Sequence, residues 1–524
     1  MKNDRSPKNS VDQIVVALLE SGVKLFHDQY KETYISTDGT GKNVLPMHSR
    51  LCNEWLGHYC YSSLGKVVSV DVLTKITNTL SGMALFDGEL IELQIRAVRQ
   101  NSMIWYDLGE GAVLISDNVW STFPDPSILF KRFAHQKSQI IPVEADNINL
   151  IRNYVNLRSD DDYLLFLVYL IAAFIPGFPH PLLVLHGSQG SGKTTPMKVM
   201  KDLIDPSRLQ GLPPPSKPED FVHVASKHYF LFFDNLSFMP SWLSDTLARA
   251  VTGDGFSKRA LYSNDDDVIY NFQRTVAING INQVVTRSDL LDRSVLLNLE
   301  RIPDDKRIEE SVFWQDFNND KASILGSIFT VLGRALGLQP KVKLDKLPRM
   351  ADFYRWGCAI TEALGQPKEK FMHAYDTNIN NQHDEAIEAS PVALAVILLM
   401  ERQESWEGTA TDLLNKLNTL VDTPLYARSA GLPQHSNWLS RNLTALQPNL
   451  LAHGIVVERK DTARPRKIII RKDSNFTVGA DESSDLGVIE DIFGSVETLT
   501  DTESPFNNRQ QDDTDGKKIK PTDS

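Results

Sequence analysis

The sequence has few cysteines, no long apolar segment and no excess of basic residues. Only three cysteines, Cys52, Cys60 and Cys358, occur among 524 residues. That number is too small for a disulfide framework and is typical of a reducing compartment. The most apolar run, from Tyr163 to Ile175, is shorter than the roughly 20 residues that cross a bilayer, and Pro176 follows it. The low cysteine number therefore excludes a disulfide-stapled scaffold. We predict that the apolar run from Tyr163 to Ile175 is a buried helix.

The beginning of the chain also lacks a targeting signal. Residues 1–13 are polar and contain no apolar core of the signal-peptide kind. We therefore expect a cytoplasmic protein that has no membrane partner. His58 lies between Cys52 and Cys60, but no fourth ligand follows at a spacing typical of zinc sites, so we interpret the thiols as buried core groups.

The negative charge is concentrated at one end of the chain. The formal net charge is -12, but residues 473–524 hold 13 acidic and 4 basic residues, so the remainder is close to neutral. The acidic excess therefore does not exclude nucleic acid as a partner of the folded part. Residues 473–524 also lack apolar periodicity, which predicts a disordered acidic tail. Apolar residues amid acids at 486–496 suggest a docking segment for a protein partner, and a purely solubilising tail is the alternative.

The middle of the chain has the pattern of an α/β fold. Between residues 151 and 304, apolar runs alternate with helical stretches, which is typical of a parallel sheet with crossover helices. The runs cover residues 181–186, 229–233, 275–278 and 295–299. We predict one compact α/β domain over this region.

The regions on either side have different patterns. Residues 1–150 contain strand-like segments separated by Gly and Asp, which predicts a small α+β accessory domain. Helical periodicity dominates residues 305–400 and predicts a helical lid or collar. Residues 401–472 pass from helical periodicity to two apolar β-like segments joined by a basic turn. We interpret this last region as a winged-helix-like domain.

A glycine-rich loop with a complete Walker A pattern follows the first apolar run of the α/β region. Glycines allow backbone N–H groups to turn toward phosphate oxygens, while Lys193 reaches the β and γ phosphates and the Thr194 hydroxyl coordinates magnesium. The residues expected to bind ATP are Gly187, Ser188, Gln189, Gly190, Ser191, Gly192, Lys193, Thr194 and Thr195.

The second apolar run delivers a carboxylate, as a Walker B strand does. Asp234 ends this run, and we expect Asp234 and Thr194 to hold Mg²⁺ beside the phosphates. The next residue is Asn235, where many ATPases have an acid that activates the attacking water. An amide can orient water but cannot accept its proton. The sequence therefore leaves the general base open.

Two further residues complete the predicted catalytic set. Asn279 ends the third apolar run, so it is expected at the same sheet edge as Asp234, where it would position water. Arg293 precedes the fourth run and could reach the γ phosphate of a neighbouring subunit as an arginine finger. A surface pair of Arg293 with Asp289 or Asp292 is the alternative. The predicted catalytic residues are Lys193, Asp234, Asn279 and Arg293.

The order of these features resembles the superfamily 3 helicases of the AAA+ class. The resemblance covers about residues 181–303 and is closest to the ATPases of poxvirus and phage-type primase-helicases, although no recognisable primase region precedes it. It implies a P-loop, AAA+-like core and a homo-oligomeric ring, a hexamer in such proteins, with single-stranded DNA in the pore.

The resemblance also suggests DNA contacts. Lys258 and Arg259 correspond to a hairpin that faces the pore, where cations neutralise phosphates, and an exposed basic turn without a ligand is the alternative. Arg464, Arg466 and Lys467 cluster beside the C-terminal β-like segments and would bind duplex DNA through the winged helix. Winged helices also dock proteins, so both interpretations stay open.

These observations predict an ATP- and Mg²⁺-dependent, ring-forming DNA helicase or translocase that replicates a phage, plasmid or integrated element. One alternative is an ATP-gated assembly switch or scaffold, for example in anti-phage defence, and Asn235 favours it. Another is a replication initiator or helicase loader that binds an origin through the winged helix.

Overall fold

The computed structural model describes most of the chain as far as Asp473. The described residues are 10–38, 44–188, 190–253, 256–259, 267–270, 273–280, 285, 287–388, 390–420, 432–460 and 466–473. These residues belong to one unit that covers 1–473. The predicted tail from 474 onward, Gln189 and Arg464 lie outside the described residues.

The N-terminal region contains two four-stranded sheets. Its elements are α1 (Ser10–Glu20), β1 (Lys24–His27), β2 (Thr33–Ser36), β3 (Val44–Pro46), α2 (Arg50–Leu64), α3 (Val70–Phe86), β4 (Glu89–Leu90), β5 (Ala97–Gln100), β6 (Met103–Gly109), β7 (Gly111–Ser116) and β8 (Val119–Phe123). The first sheet has the order β3-β2-β1-β4 and packs against α1, α2 and α3, whereas the second is an antiparallel meander in the order β5-β6-β7-β8. Cys52 and Cys60 are buried in the first layer, as the sequence predicted.

A parallel sheet occupies the middle of the chain. Its region contains α4 (Asp160–Ala172), β9 (Leu182–His186), α5 (Thr194–Ile204), α6 (Pro218–Ala225), β10 (Phe230–Phe233), α7 (Ser241–Thr252), β11 (Phe256–Arg259), β12 (Asp267–Tyr270), β13 (Thr275–Asn279), α8 (Ser288–Leu291) and β14 (Ser294–Asn298). The strand order is β10-β13-β9-β14, and every pair is parallel. The predicted parallel sheet and its four strands are confirmed.

The strands are apolar along their whole length because helices cover both faces of the sheet. One face packs against α4 and α5, and the other against α6, α7 and α8. Helix α4 is the predicted buried helix, and its Tyr169 hydroxyl donates a hydrogen bond of 3.0 Å to the carbonyl of Val276. The sheet therefore lies between two apolar layers of helices. Polar functional side chains are accordingly expected at the ends of the strands.

Helices follow the parallel sheet, as the periodicity predicted. The remaining elements are α9 (Glu310–Leu338), α10 (Ala351–Ala363), α11 (Lys368–Glu388), α12 (Pro391–Glu401), β15 (Ser405–Gly408), α13 (Ala410–Leu420), α14 (Ser436–Ala452), β16 (Ile455–Lys460) and β17 (Lys467–Lys472). Within the described part of the chain, residues 310–341 alone have the length and hydropathy of a membrane-crossing helix, and 61% of that apolar window is buried in the protein.

The hydrophobic core continues across the predicted domain boundary at residue 150. Tyr106 of β6 lies 5.2 Å from Phe174, just after α4, and 5.5 Å from Phe329 of α9, measured between ring centroids. Its hydroxyl donates to the carbonyls of Leu203 and Ile204 at the end of α5. The antiparallel sheet β5–β8 therefore shares one core with the parallel sheet.

In its described residues, the C-terminal region combines three helices with a small antiparallel sheet. Strands β16 and β17 form the predicted hairpin, with Lys460 opposite Lys467 at its turn end. Strand β15, which the sequence pattern did not predict, pairs with β17 and completes the order β15-β17-β16. Helices α12, α13 and α14 bury their leucines against this sheet in a separate apolar cluster.

Candidate nucleotide site

A glycine-rich loop connects β9 to α5 at the carboxyl edge of the parallel sheet. Gly190 and Gly192 have φ angles of 84° and 72°, which side chains other than glycine rarely adopt. A Cβ atom on Gly192 would also lie 3.0 Å from Cδ1 of Ile302. Both the conformation and the close approach therefore require glycine in this loop.

Lys193 folds back over the loop that precedes it. Its Nζ donates to the carbonyls of Gly187 at 2.7 Å and Ser188 at 2.9 Å. Partial burial lowers the pKa of the lysine below its ordinary value. The ammonium group is thus held at the loop by two neutral carbonyl oxygens. An ionised acceptor would bind it more strongly and could replace them.

Three side chains from separate segments meet beside the loop. Asp234 follows β10, Asn279 ends the neighbouring strand β13, and Thr194 begins α5. The Thr194 hydroxyl donates to Oδ1 of Asp234 at 3.0 Å, and Nδ2 of Asn279 donates to the same oxygen at 2.8 Å. The predicted metal-binding residues are therefore brought together, and the carboxylate is oriented by two donors.

The amide of Asn279 is engaged on both sides. Its Oδ1 accepts the backbone N–H of Asn235 at 2.6 Å, and its side chain is buried, with 2% exposure of the residue. Asn235 itself has a φ of 60°, so the chain turns sharply immediately after Asp234. In this arrangement Asn279 orients Asp234 and its turn, and its predicted role in positioning water stays a prediction.

Among the described residues of the loop, Ser191 has a buried hydroxyl without a hydrogen-bond partner. The Ser191 hydroxyl is fully buried and makes no hydrogen bond within the described part of the chain. A buried hydroxyl without a partner is costly, so such atoms usually indicate a missing ligand or water. The loop therefore has unused hydrogen-bonding capacity at the position where phosphates are expected.

The segment after β14 also borders the loop, which the sequence did not predict. The N–H of Ile302 donates to the carbonyl of Gly190 at 3.4 Å, and Nη2 of Arg307 lies 3.4 Å from where a Gly190 Cβ would stand. Arg307 is paired with Asp304 at 3.0 Å. No sequence signal marks this approach, because it depends on how the chain reverses after the strand.

Arg293 makes an ion pair within its own chain. The guanidinium lies 2.5 Å from Oδ2 of Asp289 and also donates to that residue's carbonyl at 3.0 Å. Arg349 contacts Asp289 and Asp292 from the other side. Burial would raise the pKa of Asp289, but the two arginines lower it. The pair with Asp289 is the alternative weighed from the sequence, and the arginine-finger role stays a prediction.

The predicted DNA contacts that the structure describes lie on or beside two hairpins. Lys258 and Arg259 are in β11, opposite Val268 and Asp267 of β12, so the basic segment is one strand of an antiparallel hairpin. Lys467 is in β17 and its Nζ lies 3.0 Å from Oε1 of Glu407. Arg466 immediately precedes β17.

Two protein-family models match parts of the chain. Residues 148–385 match the model of the actinomycete integrative conjugative element replication protein, and residues 392–484 match the model of the AICE RepA C-terminal domain. The two matches together cover more than half of the 524 residues. Both models describe one replication-protein family, and the chain is similar to it over residues 148–385 and 392–484. The first match contains the glycine-rich loop, Asp234 and Asn279, and the second contains the three-stranded sheet.

Other comparisons are more distant. The apo structure of the NrS-1 C-terminal region is 12% identical, covers 90% of this chain and 100% of that chain, and has a TM-score of 0.40. The crystal structure of JCV Helicase with a bound acetamide compound is 13% identical, covers 40% of this chain and 67% of that one, and has a TM-score of 0.21. Both likenesses are too weak to decide the fold. No curated protein matches the chain.

Proposed function

We propose that this replication protein is a Mg²⁺-dependent ATPase that moves along or unwinds DNA during replication of its conjugative element. The proposal assigns 151–304 as a P-loop, AAA+-like core, 305–400 as its helical lid or collar, and 401–472 as a winged-helix-like domain. The match to a replication-protein family supports the role in replication, and the site at the sheet edge supports the chemistry.

One observation carries the proposal. Thr194 and Asn279 both donate to Oδ1 of Asp234, at 3.0 Å and 2.8 Å, beside a glycine-rich loop that opens a helix. A strand-borne carboxylate next to a hydroxyl at such a helix start is the arrangement that phosphate and magnesium require. A purely structural hydrogen-bond network would not need the glycines or the unpartnered Ser191 hydroxyl.

The residues present fit Mg²⁺ and ATP. Hydroxyl and carboxylate oxygens are the ligand types that Mg²⁺ prefers, and this ion usually takes only one or two protein ligands and completes its shell with phosphate and water. Within the described residues no group of three or more His, Cys, Asp or Glu side chains could hold a metal, so Thr194 and Asp234 would share this ion with the phosphates. Bound Mg²⁺ would neutralise charge that develops on the phosphates.

The remaining roles follow from the positions of the side chains. Lys193 would exchange the carbonyls of Gly187 and Ser188 for phosphate oxygens, since the ionised acceptor is stronger. Asn279 would hold Asp234 and the turn at Asn235 in place, and would position water if its amide is released. Arg293 would complete the site of a neighbouring subunit in a hexameric ring after leaving Asp289.

DNA would be engaged by the hairpin β11–β12. Lys258 and Arg259 lie on its first strand, and cations on such a hairpin bind the backbone of a single strand without reading bases. Coupling of this hairpin to ATP turnover would convert hydrolysis into movement. The acidic tail would bind a separate protein partner.

An ATP-gated assembly switch is the second candidate, and Asn235 favours it. The residue occupies the position after the proposed metal-binding carboxylate, has no ionisable group, and holds a strained φ of 60°. Such a site would bind ATP tightly and hydrolyse it slowly. The binding event itself, rather than turnover, would then drive assembly.

ATP hydrolysis by the full chain, measured with and without single-stranded DNA, tests the proposal. We expect stimulation by DNA in the wild type, loss of all turnover in Lys193→Ala, and loss of stimulation alone in the double variant Lys258→Ala/Arg259→Ala. Turnover that ignores DNA in every variant would overturn the motor and favour the switch. No turnover and no ATP binding would overturn both.

A further inference from the structure

Arg293 lies too far from the glycine-rich loop of its own chain to reach it. Its carbonyl accepts the N–H of Leu182 at 2.7 Å, so it lies at the amino edge of the parallel sheet. The loop follows His186, at the opposite edge. At a rise of about 3.3 Å per residue, β9 spans roughly 16 Å between them, which is longer than an arginine side chain. Any action of Arg293 on a nucleotide would therefore be in a neighbouring subunit.

The backbone beside Arg293 is held by the helical region. Asn378 of α11 accepts the N–H of Leu296 at 3.1 Å and donates to the carbonyl of the same residue at 2.5 Å. Gln382, one turn further along α11, donates to the carbonyl of Ser294 at 3.2 Å. These amides stand where a further strand would pair with β14, an outer strand of the sheet. Release of Arg293 from its present partner would therefore be a movement of the side chain and not of β14.

Asp289 holds that side chain within its own chain, and a second arginine shares the same carboxylate. Oδ2 of Asp289 lies 2.5 Å from the guanidinium of Arg293, whereas Oδ1 lies 2.5 Å from Nη2 of Arg349. Each oxygen thus faces a different cation. Because like charges repel, each arginine weakens the hold of Asp289 on the other.

Arg349 has an anchor that does not depend on Arg293. Its Nη1 lies 3.1 Å from Oδ2 of Asp292. The next residue along the chain, Met350, is 3% exposed and belongs to the main hydrophobic core, which fixes the backbone at this point. Arg349 would therefore stay beside Asp289 when the Arg293 side chain moves away, and the carboxylate would keep a counter-charge.

We propose that Arg349 is a positioning residue for Arg293, which neutralises Asp289 and so allows Arg293 to leave for the phosphate of a neighbouring subunit. Without Arg349, the pair of Arg293 with Asp289 would be tighter and the side chain would stay in its own chain. A phosphate matches the planar guanidinium as well as a carboxylate does, so a small change in this pair decides the exchange. This role rests on the proposed function, because it requires that Arg293 completes a neighbour's site.

Steady-state ATP hydrolysis by the full chain tests this role, with the turnover number and KM measured separately. Arg349→Gln should lower the turnover number about two- to fivefold, the effect expected for an exposed ion pair. KM should stay unchanged, because the substitution leaves the glycine-rich loop intact. Adding Asp289→Asn to Arg349→Gln should restore turnover, since the charge that retains Arg293 is then removed. A merely structural role would instead make the double variant worse.

Arg334→Gln is the matched control. Arg334 is 40% exposed and pairs with Asp146 at 2.7 Å, and Arg349 is 41% exposed. Arg334 lies on α9 and has no contact with Asp289 or Asp292 among the described ion pairs. This variant should hydrolyse ATP as the wild type does. Thermal unfolding should be nearly the same in both single variants, because exposed ion pairs contribute little to stability.

Assembly with a non-hydrolysable ATP analogue, followed by sedimentation velocity, detects engagement of Arg293 without turnover. Assembly should require Arg293 and should weaken in Arg349→Gln. Unchanged turnover and assembly in Arg349→Gln, while Arg293→Ala loses both, would overturn the role of Arg349 and leave the proposed function standing. Failure of Asp289→Asn to restore turnover would also overturn it. A wild type that assembles through Arg293 and Arg349 without turnover would refute the motor and support this role, whereas neither turnover nor assembly would refute both.

Discussion

The two ends of helix α5 use polar groups in opposite ways. At its beginning, the Ser191 hydroxyl is buried without a partner and Lys193 rests on two carbonyls. At its end, Lys201 and Asp205 are buried with every strong interaction made inside the protein. The difference separates a place built to take a ligand from a place built to hold the fold, although both are rich in charge.

The structural end is a closed ion cluster. Arg96 donates to Oδ1 of Asp205 at 3.1 Å, and Lys201 donates to Oδ2 at 2.8 Å and to the carbonyl of Phe230 at 2.6 Å. Arg96, Lys201 and Asp205 are each at most 1% exposed. Burial would raise the pKa of Asp205, but Lys201 and Arg96 hold it well below its usual range. The carboxylate is therefore ionised and fully paired.

This cluster connects the region before residue 150 to the helix of the proposed nucleotide site. Arg96 comes from the segment just before β5, while Asp205 follows α5. A movement of α5 on ligand binding would therefore act on the antiparallel sheet β5–β8. The N-terminal region is, on this account, part of the structural support of the site.

The largest effect is expected when the closed end is broken. Asp205→Ala would leave two buried cations without a counter-charge and should cost about 3–5 kcal/mol of unfolding free energy. Denaturant unfolding followed by circular dichroism measures this. Asp71→Ala, which removes an exposed pair with Lys75, should change stability by less than about 0.5 kcal/mol. A loss below about 1 kcal/mol in Asp205→Ala would refute the structural role.

At the beginning of α5, beside the proposed nucleotide site, a substitution should reduce activity and leave stability almost unchanged. Asp234→Asn keeps an oxygen that can accept from Thr194 and Asn279, so the unfolding free energy should change by less than about 1 kcal/mol. The lost charge should reduce Mg²⁺-dependent ATP hydrolysis on the order of a hundredfold, because the carboxylate supports the ion. Steady-state ATPase assays beside unfolding curves check both. A large loss of stability in Asp234→Asn together with unchanged ATP hydrolysis would show that Asp234 supports the fold and not the chemistry.

A smaller loss of stability should appear at acidic pH, because His228 lies beside the buried ion cluster at the end of α5. Burial and the neighbouring Lys201 cation lower the pKa of His228 from 6.5 to about 3, and its Nδ1 lies 3.3 Å from Nζ of Lys201. Below about pH 6.5 the His228 imidazole binds a proton in the unfolded chain but stays neutral in the folded chain. The free energy of unfolding should therefore fall as the pH falls from 6.5. The loss between pH 7 and 5 should be about 1–2 kcal/mol.

The control for this pH effect is His228→Gln, which keeps an acceptor for Lys201 but does not titrate. Thermal or denaturant unfolding at several pH values should show a shallower acid dependence in the variant. An identical slope in the two proteins would show that His228 does not contribute. Other buried histidines, among them His180 with a pKa lowered by burial to about 4, should contribute to the slope that remains, as should carboxylates with lowered pKa such as Asp205.

Local features of the sequence predicted much of the fold and of the candidate site. The strand before Gly187, the helix after Thr194 and the strand before Asp234 each follow from residues that are adjacent in the chain. The common edge of Asp234 and Asn279 followed from the rule that parallel strands end on the same side. The structure has these elements at these positions, whereas the catalytic roles stay predictions. The positions could be predicted because they needed no knowledge of distant contacts.

Long-range contacts explain what the sequence did not predict. Arg96 and Asp205 are 109 positions apart, and nothing in either local segment marks them as a pair. Strand β15 has four residues and only Trp406 as a large apolar side chain, so it lacks a readable alternation. The approach of Ile302 to Gly192 depends on the chain reversal after β14. In each case the tertiary fold, and not the local pattern, decides the outcome.

Hydrogen–deuterium exchange of the full chain with and without Mg²⁺ and ATP tests the contrast between the two ends of α5 most directly. Ligand binding should slow exchange of amides in the loop after β9 and in the turn after Asp234, and should leave residues 201–206 at the other end unchanged. Lys193→Ala should abolish the protection. Protection absent from the loop at saturating ATP, or equally strong at both ends of α5, would contradict the assignment of this loop as the nucleotide site.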